Sequence, residues 1–155
     1  MDPERKNKIS VKDIVHKLKL RELCPISGYW YTEVSGKRIK MAKELLKRIE
    51  SSGKVTYVHV KNSGKKGDKS YYLCSGAAIE FINNWIDVQN EIFKKREDMY
   101  NAGIEEDYHN GYVELTEGID KIDKLSYEGY TKSDLAEEFD KLSKCIEENR
   151  RAYYN

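Results

Sequence analysis

Cysteine and histidine are scarce in this chain of 155 residues, and long apolar runs are missing altogether. Cys24, Cys74 and Cys145 lie far apart, and none belongs to a C-x-x-C pair. An odd count without ligand spacing excludes a disulfide framework and a zinc finger, and leaves reduced, buried thiols as the expectation. His16, His59 and His109 have no second His or Cys at a metal-binding spacing. No stretch reaches the roughly 18 apolar residues that a membrane span requires. The opening residues MDPERKNK lack the apolar core of a secretory signal, so a cytoplasmic location is expected. The phosphate loop GxxxxGK[ST], the dinucleotide fingerprint GxGxxG and the nucleophile elbow GxSxG are all absent. The expectation is a protein that is not an enzyme and carries no cofactor or metal.

Charge is plentiful but unevenly spread. The net formal charge is +1, yet residues 1–72 hold 18 Lys and Arg against 8 Asp and Glu. Residues 73–155 hold 10 against 19. A basic half beside an acidic half points to a nucleic-acid or otherwise acidic partner for the basic part.

Local patterns divide the chain into elements. Residues 1–9 read as a disordered polar tail. Ser10 and Asp13 have capping-box spacing ahead of Val11, Ile14, Val15 and Leu18, which predicts a short helix ending near Leu20. Residues 21–36 leave two readings open, a short strand over the aromatic run Tyr29, Trp30, Tyr31 or a packed loop. From Ser35-Gly36 a second helix is expected, with Ile39, Ala42, Leu45, Leu46 and Ile49 as its apolar stripe and Gly53 as its cap. The stretch KVTYVHVKNSGKKGDKSYYL (54–73) reads as a β-hairpin with a long basic tip. A third helix is expected over residues 77–100, carrying Phe81, Ile82, Trp85 and Ile92. An acidic loop IEEDYHNG follows, then a helix over 112–126 with Gly118 as a weak point. In the last helix Leu135, Phe139, Leu142 and Ile146 alternate steps of four and three, the seam of a helix that pairs with another.

The order of these parts resembles the winged-helix DNA-binding fold of the MarR and PadR regulators. SVKDIVHKLKL resembles the first helix of a helix-turn-helix. KRIKMAKELLKRIESSGKVTYVHV resembles a recognition helix running into the first wing strand, and KNSGKKGDKSYYL resembles the wing. The helix after Gly76 resembles the dimerisation helix of those families. The expected fold is therefore α+β and mostly helical, a winged helix-turn-helix with a hairpin wing, a long helix and C-terminal helices. Residues 10–75 would form the basic domain and residues 76–155 the acidic dimerisation region.

The resemblance implies double-stranded DNA and a second copy of the chain as partners. Lys37, Arg38, Lys40, Lys43 and Lys47 would meet DNA from the helix, with Arg38 on a base edge and the lysines on phosphates. Lys61, Asn62, Lys65, Lys66 and Lys69 would meet it from the wing. Phe81, Ile82, Trp85, Ile92, Leu135, Phe139, Leu142 and Ile146 would build the homodimer. The rival expectation is a small interaction protein that binds another protein or an acidic ligand and never touches DNA.

Overall fold

The computed structural model describes residues 7–20, 28–61, 67, 69–104 and 110–150, with side chains except at 28–35, 69 and 110. The protein is α+β and mostly helical, with five helices and one three-stranded antiparallel sheet among the described residues. Strand β1 (Asn7–Ile9) leads into α1 (Val11–Lys17). Helix α2 (Gly28–Ser51), the hairpin β2 (Val55–Val60) and β3 (Lys69–Cys74), and α3 (Gly76–Asn101) follow. Helices α4 (Asn110–Ser126) and α5 (Ala136–Glu148) complete the order. The chain falls into two compact units. In described residues, the first is 7–18 with 28–83 and the second is 19–20 with 84–150.

In the first unit, α1 starts as its spacing predicts. The Ser10 N–H donates to Asp13 Oδ2 at 2.9 Å, and the Asp13 N–H donates to Ser10 Oγ at 3.3 Å. The two bonds satisfy donors that a helix start otherwise leaves open. Ile14 and Leu18 are buried. Residues 7–9 are not a tail: Ile9 is buried, and β1 pairs with β3 in the register Ile9↔Tyr72 and Asn7↔Cys74. One apolar residue and an open strand edge are enough to order the segment.

Helix α2 begins at Gly28, ahead of the expected start, and takes in the aromatic run that could have been a strand. Propagating a helix adds one hydrogen bond per residue fixed, and no proline interrupts Gly28–Ser51. Gly36 lies inside this helix without interrupting it. The buried stripe is Ala42, Leu45, Leu46 and Ile49, while Ile39, expected among them, is 38% exposed. At the other end Gly53 adopts φ +82°, its N–H donates to Glu50 O, and the next N–H, of Lys54, donates to Ile49 O. That pair of bonds closes the helix and turns the chain into β2. Gly103 ends α3 in the same way.

The strand order is β1-β3-β2, which leaves β2 at an edge. In the hairpin Val55 faces Cys74, Tyr57 faces Tyr72 and His59 faces Ser70. Val55 and Cys74 are buried, whereas Tyr57, His59, Val60 and Ser70 are exposed. The hairpin is thus rooted at one end and leaves the apolar core towards its tip.

The boundary between the units lies inside α3, between Asn83 and Asn84. The first turns of α3 bury Ala78 and Ile82 in the first unit. In the second unit, the rest of α3 packs with α4 and α5 around Val88, Ile92, Leu115, Ile119, Ile122, Leu135, Phe139, Leu142 and Ile146. Helices α4 and α5 run antiparallel: Gly118 lies under Leu142, Gly111 under Asn149, and Lys121 Nζ is 3.5 Å from Glu138 Oε2. Val113 of α4 is exposed. Buried Gln89 joins α3 to the end of α4, its Nε2 donating to Asp123 Oδ1 at 2.8 Å and to Ser126 Oγ at 3.1 Å. Cys74 and Cys145 are buried free thiols, and Cys24 lies outside the described residues.

Candidate nucleic-acid interface

Helical geometry sorts the cations of α2. At about 3.6 residues per turn, positions 40, 43 and 47 share one side, and positions 38, 42, 45, 46 and 49 share the other. The solvent exposure agrees: Lys40, Lys43 and Lys47 are exposed, while Ala42, Leu45, Leu46 and Ile49 are buried. At about 1.5 Å per residue the three lysines cover roughly 10 Å of helix, about three phosphates of one DNA strand at 3.4 Å of axial rise each. Lys37 is exposed on a neighbouring strip. Glu44, between Lys43 and Lys47 in sequence, has its carboxylate 3.9 Å from Arg48 Nη2.

Arg38 does not join this set. It is half-buried, its Nη1 donates to Leu18 O at 3.5 Å, and its Nε is buried without a hydrogen-bond partner. The position faces the end of α1, so the guanidinium is spent on the packing of the two helices and is not held out to a base edge.

From the hairpin, Lys61 is exposed just beyond β2. Lys69 opens β3 opposite Val60, with its side chain outside the description. Asn62, Lys65 and Lys66 lie outside the described residues.

The hairpin also carries a cluster that composition and charge did not reveal. The Tyr57 hydroxyl donates to Ser70 Oγ at 3.0 Å, and His59 Nδ1 lies 3.0 Å from the same oxygen. The Tyr57 and Tyr72 rings are 5.2 Å apart and tilted by 59°. All four residues share one face, since alternate positions of a strand point the same way. Burial, followed by Glu50 and Tyr57, raises the Tyr72 hydroxyl above its ordinary value, so it stays a neutral phenol. On the other face the Lys8 ammonium sits 4.9 Å from the Tyr71 ring centre. Lys54, where the hairpin starts, lies 4.4 Å from the Phe81 ring centre. The alternation in VTYVHV signals that Tyr57 and His59 share a face, but their partner Ser70 depends on register across the tip.

The residues expected to form a dimer are used inside the chain. Ile82, Trp85, Ile92, Leu135, Phe139, Leu142 and Ile146 are all buried, and Phe81 is half-buried beneath Lys54. The seam of α5 closes on α3 and α4 of its own unit. A stripe that has found its partner within the chain no longer calls for a second copy.

Among the described residues no group of three His, Cys, Asp or Glu could hold a metal ion. None of the described helices is long and apolar enough to cross a membrane. A half-open hollow in the second unit, between Arg96 and Thr116, has about 250 Å³, below the usual range of small-molecule pockets.

Known protein families, curated proteins and solved structures contain no match to this chain. Its function must therefore be read from the site. By residue range, the first unit (1–18 and 25–83) holds 16 Lys and Arg against 8 Asp and Glu, and the second holds 12 against 19. The basic helix face and the basic hairpin belong to the same unit.

Proposed function

We propose that the first unit binds nucleic acid, with duplex DNA as its primary ligand, through Lys40, Lys43 and Lys47 of α2 and the basic hairpin. The carrying observation is the three exposed lysines opposite a buried apolar stripe on one helix. Phosphate is the group that lysines in a row would neutralise. With Arg38 turned inward, the guanidinium nearest the lysine row is Arg48, exposed and 3.9 Å from Glu44, and the row itself is made of lysines, which suit phosphates better than base edges. Binding governed by the phosphate backbone, with weak base preference, follows. What supports a winged-helix reading is the succession of α1, α2, the hairpin and the long α3. The reading does not depend on a homodimer or on regulation of any particular gene.

A salt titration tests it. Fluorescence anisotropy on a random-sequence duplex should show log K falling with log[salt] at about 0.9 per phosphate neutralised. Replacing Lys43 and Lys47 together with Ala should reduce that slope by up to about two units. No binding at low salt, or a slope indifferent to the double substitution, would overturn the proposal.

The second reading is a protein-interaction module. The inward position of Arg38 favours it. Failure to bind any nucleic acid at low salt would select it.

A further inference from the structure

We infer that Tyr57 is a stacking platform for an unpaired nucleobase, so that the hairpin takes single-stranded nucleic acid as well as duplex. This rests on the nucleic-acid reading above and extends it to a second substrate class.

Tyr57 is 46% exposed although it belongs to a paired strand. Its position is fixed all the same. Ser70 Oγ accepts from its hydroxyl at 3.0 Å, and the Tyr72 ring braces it at 5.2 Å. A ring already held in place loses little side-chain freedom when a ligand covers it, and that loss is one of the main costs of binding. Any base has a π-face, so an exposed, rigid phenol ring recognises unpaired bases without regard to sequence. A base inside an intact duplex is already stacked on both sides and has no face to offer.

Charge separates Tyr57 from other exposed aromatics. Lys61 follows the same strand, and Lys54 precedes it. The backbone of a strand whose base lies on Tyr57 would therefore meet a lysine beyond either end of β2, with Glu50 near Tyr72 as the opposing acid. Tyr100 and Tyr130 are equally exposed, at 49% and 46%, but they belong to the acidic second unit, where phosphates are repelled. The Tyr71 ring lies under the Lys8 ammonium. The combination of exposed ring, fixed orientation and basic flanks is met at Tyr57.

The test uses the full chain and a deoxyribo-oligomer containing 2-aminopurine, whose fluorescence falls when the base stacks. Wild type should bind the oligomer and quench it. Tyr57→Leu should lose about tenfold in affinity for the single strand, together with the quench. Tyr57→Phe should keep the quench, because the ring remains, with a smaller loss of affinity than Tyr57→Leu, because the hydroxyl bond to Ser70 is gone. Tyr130→Leu should behave as wild type, and Tyr57→Leu should keep the wild-type circular-dichroism spectrum, which shows that it is folded, and should lose clearly less affinity for duplex than for the single strand.

Quenching that persists in Tyr57→Leu, or an equal loss on duplex and single strand, would overturn the inference. Binding of duplex with no binding of the single strand would remove this inference and leave the proposed function standing. Absence of binding to both would remove both. A ribo-oligomer of the same sequence forms the last arm. Equal affinity supports a site that reads the base face alone, and a preference for either strand type with the same loss in Tyr57→Leu supports the site and names its source.

Discussion

Gly118 has no side chain, and the space where one would stand is taken. A Cβ built there would lie 2.8 Å from Leu142 Cδ2, in the buried crossing of α4 and α5. Alanine would gain about 1 kcal/mol of helix propensity. Overpacking a closed core costs about 1–3 kcal/mol, and Leu142, itself buried, has no solvent into which to withdraw. Gly118→Ala should therefore lower the urea midpoint with an unchanged m-value, a net loss of about 1 kcal/mol. On a Leu142→Ala background the same change should stabilise, and this double-mutant cycle separates crowding from propensity. Arg38 gives the opposite kind of prediction. Its guanidinium reaches Leu18 O and not solvent, so Arg38→Leu should leave duplex affinity within twofold and the salt slope unchanged. Anisotropy on the Arg38 and Lys43 variants side by side checks this, and a large loss with Arg38→Leu would return the residue to the interface.

Elements start and stop where local chemistry tells them to, and one such start is sensitive to acid. Ahead of α5 the Thr131 N–H donates to Asp134 Oδ2 at 2.9 Å, and the Asp134 N–H donates to Thr131 Oγ1 at 3.1 Å. The bond from the Thr131 backbone, then its hydroxyl, holds the Asp134 carboxyl below its ordinary value of 3.8. A lowered carboxyl stabilises the fold above the unfolded value and loses that contribution as pH falls through the folded one. Helicity should thus decline below about pH 3.8, and Asp134→Asn should flatten that part of a circular-dichroism titration. Cys145 acts at the other extreme, its thiol raised by burial, then by Glu114 and Glu148. A raised thiol favours the fold below the unfolded value of 9.0 and loses the effect as pH rises further.

Caps of this kind are why much of the element map was legible beforehand. Ser10 with Asp13, Gly53, and the alternation of VTYVHV are all decided within a few residues. The helical state of residues 28–35 was not legible, because aromatic residues suit a strand equally well and packing makes the choice. Nor was the inward turn of Arg38 in place of Ile39, since neighbouring positions on a helix differ by a rotation that only the partner helix fixes. The Tyr57–Ser70–His59 cluster depends on cross-strand register, and a long tip leaves that register open in the sequence.

At the scale of the whole molecule, the apolar seams that promised a dimer are closed within the chain. Light scattering at micromolar concentration should therefore return a mass near 18.1 kDa, and twice that mass would show an interface on another surface. Truncation after Gly103 should not yield a tidy dimer. It removes α4 and α5 and uncovers Val88, Ile92 and Met99 of α3, so polydisperse material is expected on gel filtration. Strand β2 has a consequence of its own for molecules kept together in a tube. It is a sheet edge with no charge and no proline in VTYVHV, the kind of edge on which copies zip together. Antiparallel self-pairing would set Val55 against Val60 of a second copy, and hence Lys54 against Lys61. Like charges facing each other resist that alignment, but only while the solution lets them feel each other. In about 1 M salt the screening length shrinks to about 3 Å. A concentrated stock meant to be protected by salt should then be the one that slowly turns cloudy, and a Thr56→Lys variant should stay clear.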